Sequence, residues 1–166
     1  KFLIAYVDFS AYSDLAIGTG LLFGVKLMEN FEFPLFATNI SDFWRRWHIS
    51  LSSYCREYVY MPVIGATRNP YVAIFMTMAA IGLWHEGNWS YLAWGVFHAV
   101  FLVAYLSWGR LKRRRDWSFD SRALGVAGAV FTVMMCSAAQ SFVVTREIGI
   151  RAGFRVLGAL VGLNIP

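Results

Sequence analysis

The chain predicts an all-α fold embedded in a membrane: a polytopic multi-helix bundle forming one region over residues 1–166. Three observations carry that expectation. Hydrophobic residues make up 58% of the sequence and charged residues 15%, whereas soluble domains carry about a quarter charged residues. Two uncharged runs, residues 69–84 and 87–109, are long enough for helices, and the second matches the ~20 residues that cross a bilayer. Seven tryptophans, within an aromatic content of 17%, suit rings seated at membrane–water boundaries. The sequence starts at Lys1 in apolar residues, without the order of a signal peptide, and is expected to be a piece of a longer chain.

In order, residues 2–28 are the first membrane candidate, interrupted by Asp8, Ser10, Ser13 and Asp14. Those polar groups are expected to face protein or water rather than lipid, with a cap or break near Ser13 and Asp14. Residues 29–40, with Pro34 and several turn formers, predict a loop. Ser41 or Asp42 is a candidate N-cap for a helix running to Tyr60. Its stripe is Phe43, Trp47, Leu51 and Tyr54, and its arginines and Glu57 suit an interfacial or re-entrant helix. Pro62, Gly65 and Asn69–Pro70 are expected to end it. Residues 70–85 predict a short hydrophobic helix, 88–108 a span, and 123–145 a second span whose Gly and Ala permit close packing. Residues 151–163 are short for a span.

Net charge is +5, concentrated at Arg110 and Lys112 to Arg115. In a membrane protein such a cluster predicts a cytoplasmic loop, which places the start of the 88–108 helix outside. No nucleic-acid partner is expected, since no basic amphipathic helix or aromatic RNA-binding pattern accompanies the charge. Cys55 and Cys136 have no metal-type spacing and predict two reduced thiols.

His85 lies where the two uncharged runs meet, in GLWHEGNWSYLAWG. An ionisable group at membrane depth costs about 3 kcal/mol on insertion scales and points to function. A second histidine, His48, stands in DFWRRWHISLS. Each follows a tryptophan, so Trp84 joins the candidate substrate-binding residues. Trp44 lies four residues before His48, a spacing that shares a helix face, and is a candidate to hold that imidazole. Arg45, Arg46 and Arg56 are either phosphate forks or arginines snorkelling to lipid head groups. Asp8 and Asp14 either line a substrate path or end a helix. His98, in WGVFHA, predicts a packing role. No GxSxG, HExxH, P-loop or dinucleotide pattern is present, so neither a covalent serine nor a metal has positive support.

The strings DFSAYSDLAIG, ENFEFP, DFWRRWHISLSSYCREYVYMPV and GLWHEGNWSYLAWGVFHA together resemble the membrane-bound O-acyltransferase family, MBOAT. The resemblance covers most of residues 6–105 and is nearest the bacterial alginate- and peptidoglycan-acetylating branch, with a teichoic acid D-alanylating branch close by. It implies a multi-pass enzyme of the bacterial inner membrane with a central tunnel. The acyl donor, such as acetyl-CoA or an acyl-carrier thioester, would enter from the cytoplasm as substrate, with no bound cofactor. An extracytoplasmic polysaccharide, or an SGNH-type relay protein, would receive the acyl group. His85 maps to the position regarded as catalytic and His48 to the other signature histidine. Glu86 stands where relatives commonly have Gly, and CSAAQSFVV at 136–144 lacks an aromatic-plus-Arg string often found there. The resemblance leaves a D-alanyl or lipid O-acyltransferase of the same family as an alternative, and the residues leave a proton-coupled transporter or channel, for which buried His and Asp would also serve.

Overall fold

The computed structural model describes residues 1–117, 121–163 and 165. Its elements are the helices α1 (Phe2–Leu22), α2 (Ile40–Arg46), α3 (Ile49–Cys55), α4 (Met61–Thr67), α5 (Pro70–Glu86), α6 (Trp89–Arg114), α7 (Arg122–Val144) and α8 (Ile150–Leu160). A 3₁₀ turn covers Pro34–Phe36 and a π-helical turn Arg56–Tyr60. Among the described residues there is no strand, only one isolated antiparallel bridge between Phe31 and Trp47.

The bundle is organised on α5 and α6, which run antiparallel. A Cβ on Gly82 would strike the Tyr91 carbonyl, and one on Gly95 would strike the Met78 carbonyl. The two backbones therefore meet where only glycine fits. At the far end Arg110 donates to the Tyr71 hydroxyl at 2.8 Å and lies over the Tyr71 ring at 4.9 Å. Asparagines start both helices. Asn69 Oδ1 accepts from the Tyr71 amide at 2.9 Å, and Asn88 Oδ1 accepts from the Tyr91 amide at 3.0 Å. Each meets an amide that the helix itself cannot pair.

α7 packs on α6 through Phe101–Phe131 and Phe97–Phe142, and α8 returns onto α7 through Phe142–Phe154. The buried core joins Phe43, Trp44, Met78, Ile81, Trp94, Ala99, Met135, Cys136 and Phe142. α6 and α7 are long and apolar enough to cross a membrane, with 22% and 33% of their most apolar windows buried. Most of their apolar surface thus faces outward, unlike a core helix of a soluble domain. Cys55 and Cys136 are free and buried.

Several sequence-based expectations are corrected. α1 runs unbroken through Ser13 and Asp14; the Ser13 hydroxyl donates to the Phe9 carbonyl at 2.9 Å and stays inside the helix. With its polar residues, α1 is not among the helices apolar enough to span. The cap of α2 is Asn39, whose Oδ1 accepts from the Asp42 amide at 2.8 Å, two residues before the earlier of the two expected positions. The helix expected from Ser41 or Asp42 to Tyr60 is broken at Trp47, which is extended, and His48, at φ 46 and ψ 56. Pro62 does not end a helix. The π turn precedes it, with the Met61 amide donating to the Arg56 carbonyl five residues back. This wider register leaves room for a proline that lacks an N–H and crowds the preceding turn. The basic cluster through Arg114 forms the last turns of α6 rather than a loop, where it complements the negative end of the helix dipole.

Candidate active site

The α2–α3 break presents His48. A non-glycine residue in the left-handed region is uncommon and must be held there by its surroundings. The segment before α2 supplies the hold. Glu32 and Arg46 pair through their backbones at 3.0 Å, and the Ile49 amide donates to the Asn30 carbonyl at 3.0 Å. Asn30 Oδ1 accepts from both the Ser50 amide, at 3.1 Å, and the Ser50 hydroxyl, at 2.7 Å. It acts as an N-cap for α3 supplied by another part of the chain, since His48 itself makes no capping bond. Phe31 meets Trp47 edge-on at 5.1 Å, and Trp47 stacks on Phe43 and Phe2 at 5.4 and 5.5 Å.

His48 is half-buried and sits edge-on to Phe9 at 4.7 Å and to Trp84 at 6.0 Å. Its Nδ1 is buried without a protein hydrogen-bond partner. Trp84 meets His85 at 5.2 Å. His85 lies on the last turn of α5 and is exposed. Its ring stacks on Tyr91 at 5.1 Å with an interplanar angle of 20°, and meets Trp94 edge-on at 5.4 Å. Trp94 in turn contacts His98 at 4.7 Å, and Trp44 contacts both Trp94 and His98. A continuous line of rings thus runs from Phe9 through His48, Trp84 and His85 to Trp94, His98 and Trp44. Such an arrangement fixes ring orientations while leaving the nitrogens of an exposed imidazole for chemistry.

The structure brings Trp84, His85 and His48 together. Trp44 does not share a helix face with His48, because the helix breaks between them; it is buried against Trp94 and His98 instead. His98 is 2% exposed, in keeping with its expected packing role. Arg46 donates to Asp42 at 3.0 Å and to the Glu32 carbonyl at 3.3 Å, which ties the loop to α2. Arg45 is exposed and contacts the Ser41 carbonyl at 3.4 Å. Asp8 and Asp14 are exposed on α1. Arg56 opens the π turn and is also exposed. Sequence reasoning missed Phe9, Asn30, Tyr91 and Trp94. Tyr91 and Trp94 lie six and nine residues beyond His85, and only the sharp reversal at Gly87, at φ 66, brings them back to it.

The described residues form helices, two of them long and apolar enough to cross a membrane, with imidazoles set among aromatic rings. The chain belongs to the MBOAT, membrane-bound O-acyltransferase, family, whose model matches residues 2–145. It is 49% identical over 101 residues to the probable alginate O-acetylase AlgI of Pseudomonas putida, covering 59% of this chain and 21% of that protein. It is 34% identical over 163 residues to the peptidoglycan O-acetyltransferase of Helicobacter pylori, covering 96% and 30%. With the teichoic acid D-alanyltransferase of Bacillus subtilis the identity is 31% over 137 residues, covering 76% and 35%. The chain therefore spans about a fifth to a third of the length of these relatives.

Proposed function

We propose that this chain carries the histidine centre of an O-acyltransferase that moves an acetyl group from a cytoplasmic thioester to a hydroxyl outside the membrane. The hydroxyl belongs to a polysaccharide or to a partner protein that relays the group onward. The observation that carries this reading is the setting of His85: an exposed imidazole held by Tyr91, Trp84 and Trp94 at the end of α5, in a chain whose family transfers acyl groups to oxygen.

The chemistry follows from the groups. An imidazole nitrogen of His85 accepts the proton of the acceptor hydroxyl as its oxygen attacks the thioester carbonyl carbon. The tetrahedral oxyanion collapses, the C–S bond breaks, and the imidazolium returns the proton to the departing sulfur. His48 and Trp84 border the same space, with His48 orienting the donor or His85. Trp44 supports the layer behind. Arg45 and Arg46 would meet donor phosphates only by giving up backbone contacts that they hold here. Asp8 and Asp14 on α1 would line the acceptor's approach. Acetyl rather than D-alanyl transfer is favoured because the relatives named for acetylation include those of higher identity.

The test is acyl transfer by the full-length protein in membranes, with labelled acetyl-CoA and either alginate or peptidoglycan fragments as acceptor. His85→Gln keeps hydrogen bonding but cannot take a proton near neutral pH. Transfer should fall by roughly 10²- to 10⁴-fold at unchanged abundance. Substantial turnover by well-inserted His85→Gln would remove the base assignment and direct attention to His48.

A further inference from the structure

Directly after His85, Glu86 makes contacts that the transfer chemistry leaves unexplained. Its Oε1 accepts from Arg146 Nε at 2.8 Å, and its Oε2 accepts from Asn88 Nδ2 at 2.8 Å. Arg146 lies just beyond the C-terminus of α7, where it also donates to the Val143 carbonyl at 3.2 Å and approaches Glu147 at 3.6 Å. Asn88 has a second task, since its Oδ1 caps α6 at Tyr91. Tyr91 is the ring on which His85 stacks. One carboxylate thus joins the end of α7 to the two-residue turn at Gly87 and Asn88, and that turn sets the His85 and Tyr91 rings nearly parallel.

We propose that Glu86, Asn88 and Arg146 form a polar latch that positions His85. They are positioning residues acting through the α5–α6 turn and Tyr91. The ion pair is about one-third to two-fifths exposed on each side, and pairs this wet add little to overall stability. Its worth lies in geometry: two carboxylate oxygens are committed to two different elements, so the turn cannot swing without breaking one bond. The same bonds direct the Glu86 charge onto the arginine at α7. The latch rests on His85 being the base in the transfer proposed above.

The experiment uses the full-length protein in proteoliposomes, with Glu86→Arg, Arg146→Glu and the double reversal. Two readouts are taken: kcat and donor KM for transfer from labelled acetyl-CoA to alginate or peptidoglycan fragments, and the rate of His85 modification by diethyl pyrocarbonate, followed by mass spectrometry. Each single reversal should lower kcat by about 10-fold, the scale of a modest misplacement of a reacting group, with donor KM unchanged. Each should also raise the His85 modification rate several-fold. The double reversal restores the ion pair but not the Asn88 bond, because a guanidinium cannot accept from Asn88 Nδ2, so it should recover part of both losses. Singles indistinguishable from wild type, or a double no better than the singles, overturn the latch. If the reversed charges prevent insertion, Glu86→Gln and Arg146→Gln carry the same test: their double should cost no more than either single, and additive losses overturn the coupling. The modification readout needs no turnover. A wild-type protein that transfers nothing therefore sinks the proposed function, while the swap still decides the latch.

Discussion

At the scale of single residues, the position of His48 depends on a side chain eighteen positions earlier. Asn30 bonds both the amide and the hydroxyl of Ser50, and with the Phe31–Trp47 bridge it holds His48 in the left-handed region. Asn30→Ala should cost on the order of 1–2 kcal/mol, as loss of a good N-cap does. It should reduce transfer as well, read as a lower midpoint of thermal unfolding in detergent together with a lower rate. Asn30→Asp keeps the accepting oxygens and should retain most of both. Unchanged unfolding of Asn30→Ala would show that the bridge alone fixes the break. His85 is conspicuous in the sequence as an ionisable residue between two uncharged runs, and His48 as the other histidine directly after a tryptophan. The partners are not: Phe9, Asn30 and Tyr91 are ordinary residue types whose roles arise only when distant segments meet. The Trp44–His48 pairing failed for the same reason. Spacing by four has meaning inside one helix, and nothing local announces a break at Trp47–His48 that Asn30 enforces from outside.

At the scale of elements, the α5–α6 hairpin is the scaffold on which His85 is mounted. Its closeness rests on Gly82 and Gly95, each set against the other helix's backbone. Gly95→Ala should push the helices apart and cost about 1–3 kcal/mol through overpacking, seen as lower membrane abundance and earlier unfolding. Gly18→Ala is the control, since a Cβ there meets nothing within 4 Å, and it should cost nothing, helix propensity favouring alanine by up to about 1 kcal/mol. If both behave alike, the close approach does not limit stability. The ends of α5 and α7 and the start of α6 were readable to within a residue or two from the apolar runs, while α6 runs on through the basic cluster to Arg114. The 42–60 region was not, because tertiary bonds and a change of helical register override its local pattern there. Pro62 misled for a physical reason: a proline breaks an α-register, and the chain had already left that register at Arg56.

At the scale of the molecule, two long apolar helices expose most of their surface, and Arg110 to Arg115 gather at the C-terminal end of one of them. By the positive-inside rule that end is expected in the cytoplasm and the His85 turn toward the outer side. A single cysteine at position 113 should resist a membrane-impermeant thiol reagent added to intact cells, and one at position 89 should react. Strong external labelling at 113 reverses the orientation, and with it the sides from which donor and acceptor arrive. The fold class was legible from composition because lipid-facing helices need few charges. How many elements truly cross was not, since α1 and α5 are hydrophobic by composition yet fall outside the length and apolarity that mark a span.

The π turn at Arg56–Tyr60 has a consequence for how sequences of this kind can differ in length. A residue added to an α-helix rotates everything beyond it by about 100°, unless a local bulge takes it up. Here the surplus is confined to one turn, and the faces of α3 and α4 keep the orientations they would have in a helix one residue shorter. A gap of one position between homologous sequences at this point would therefore disturb neither the His48 break upstream nor the α4–α5 corner downstream, provided that the shorter sequence has also given up the proline at 62.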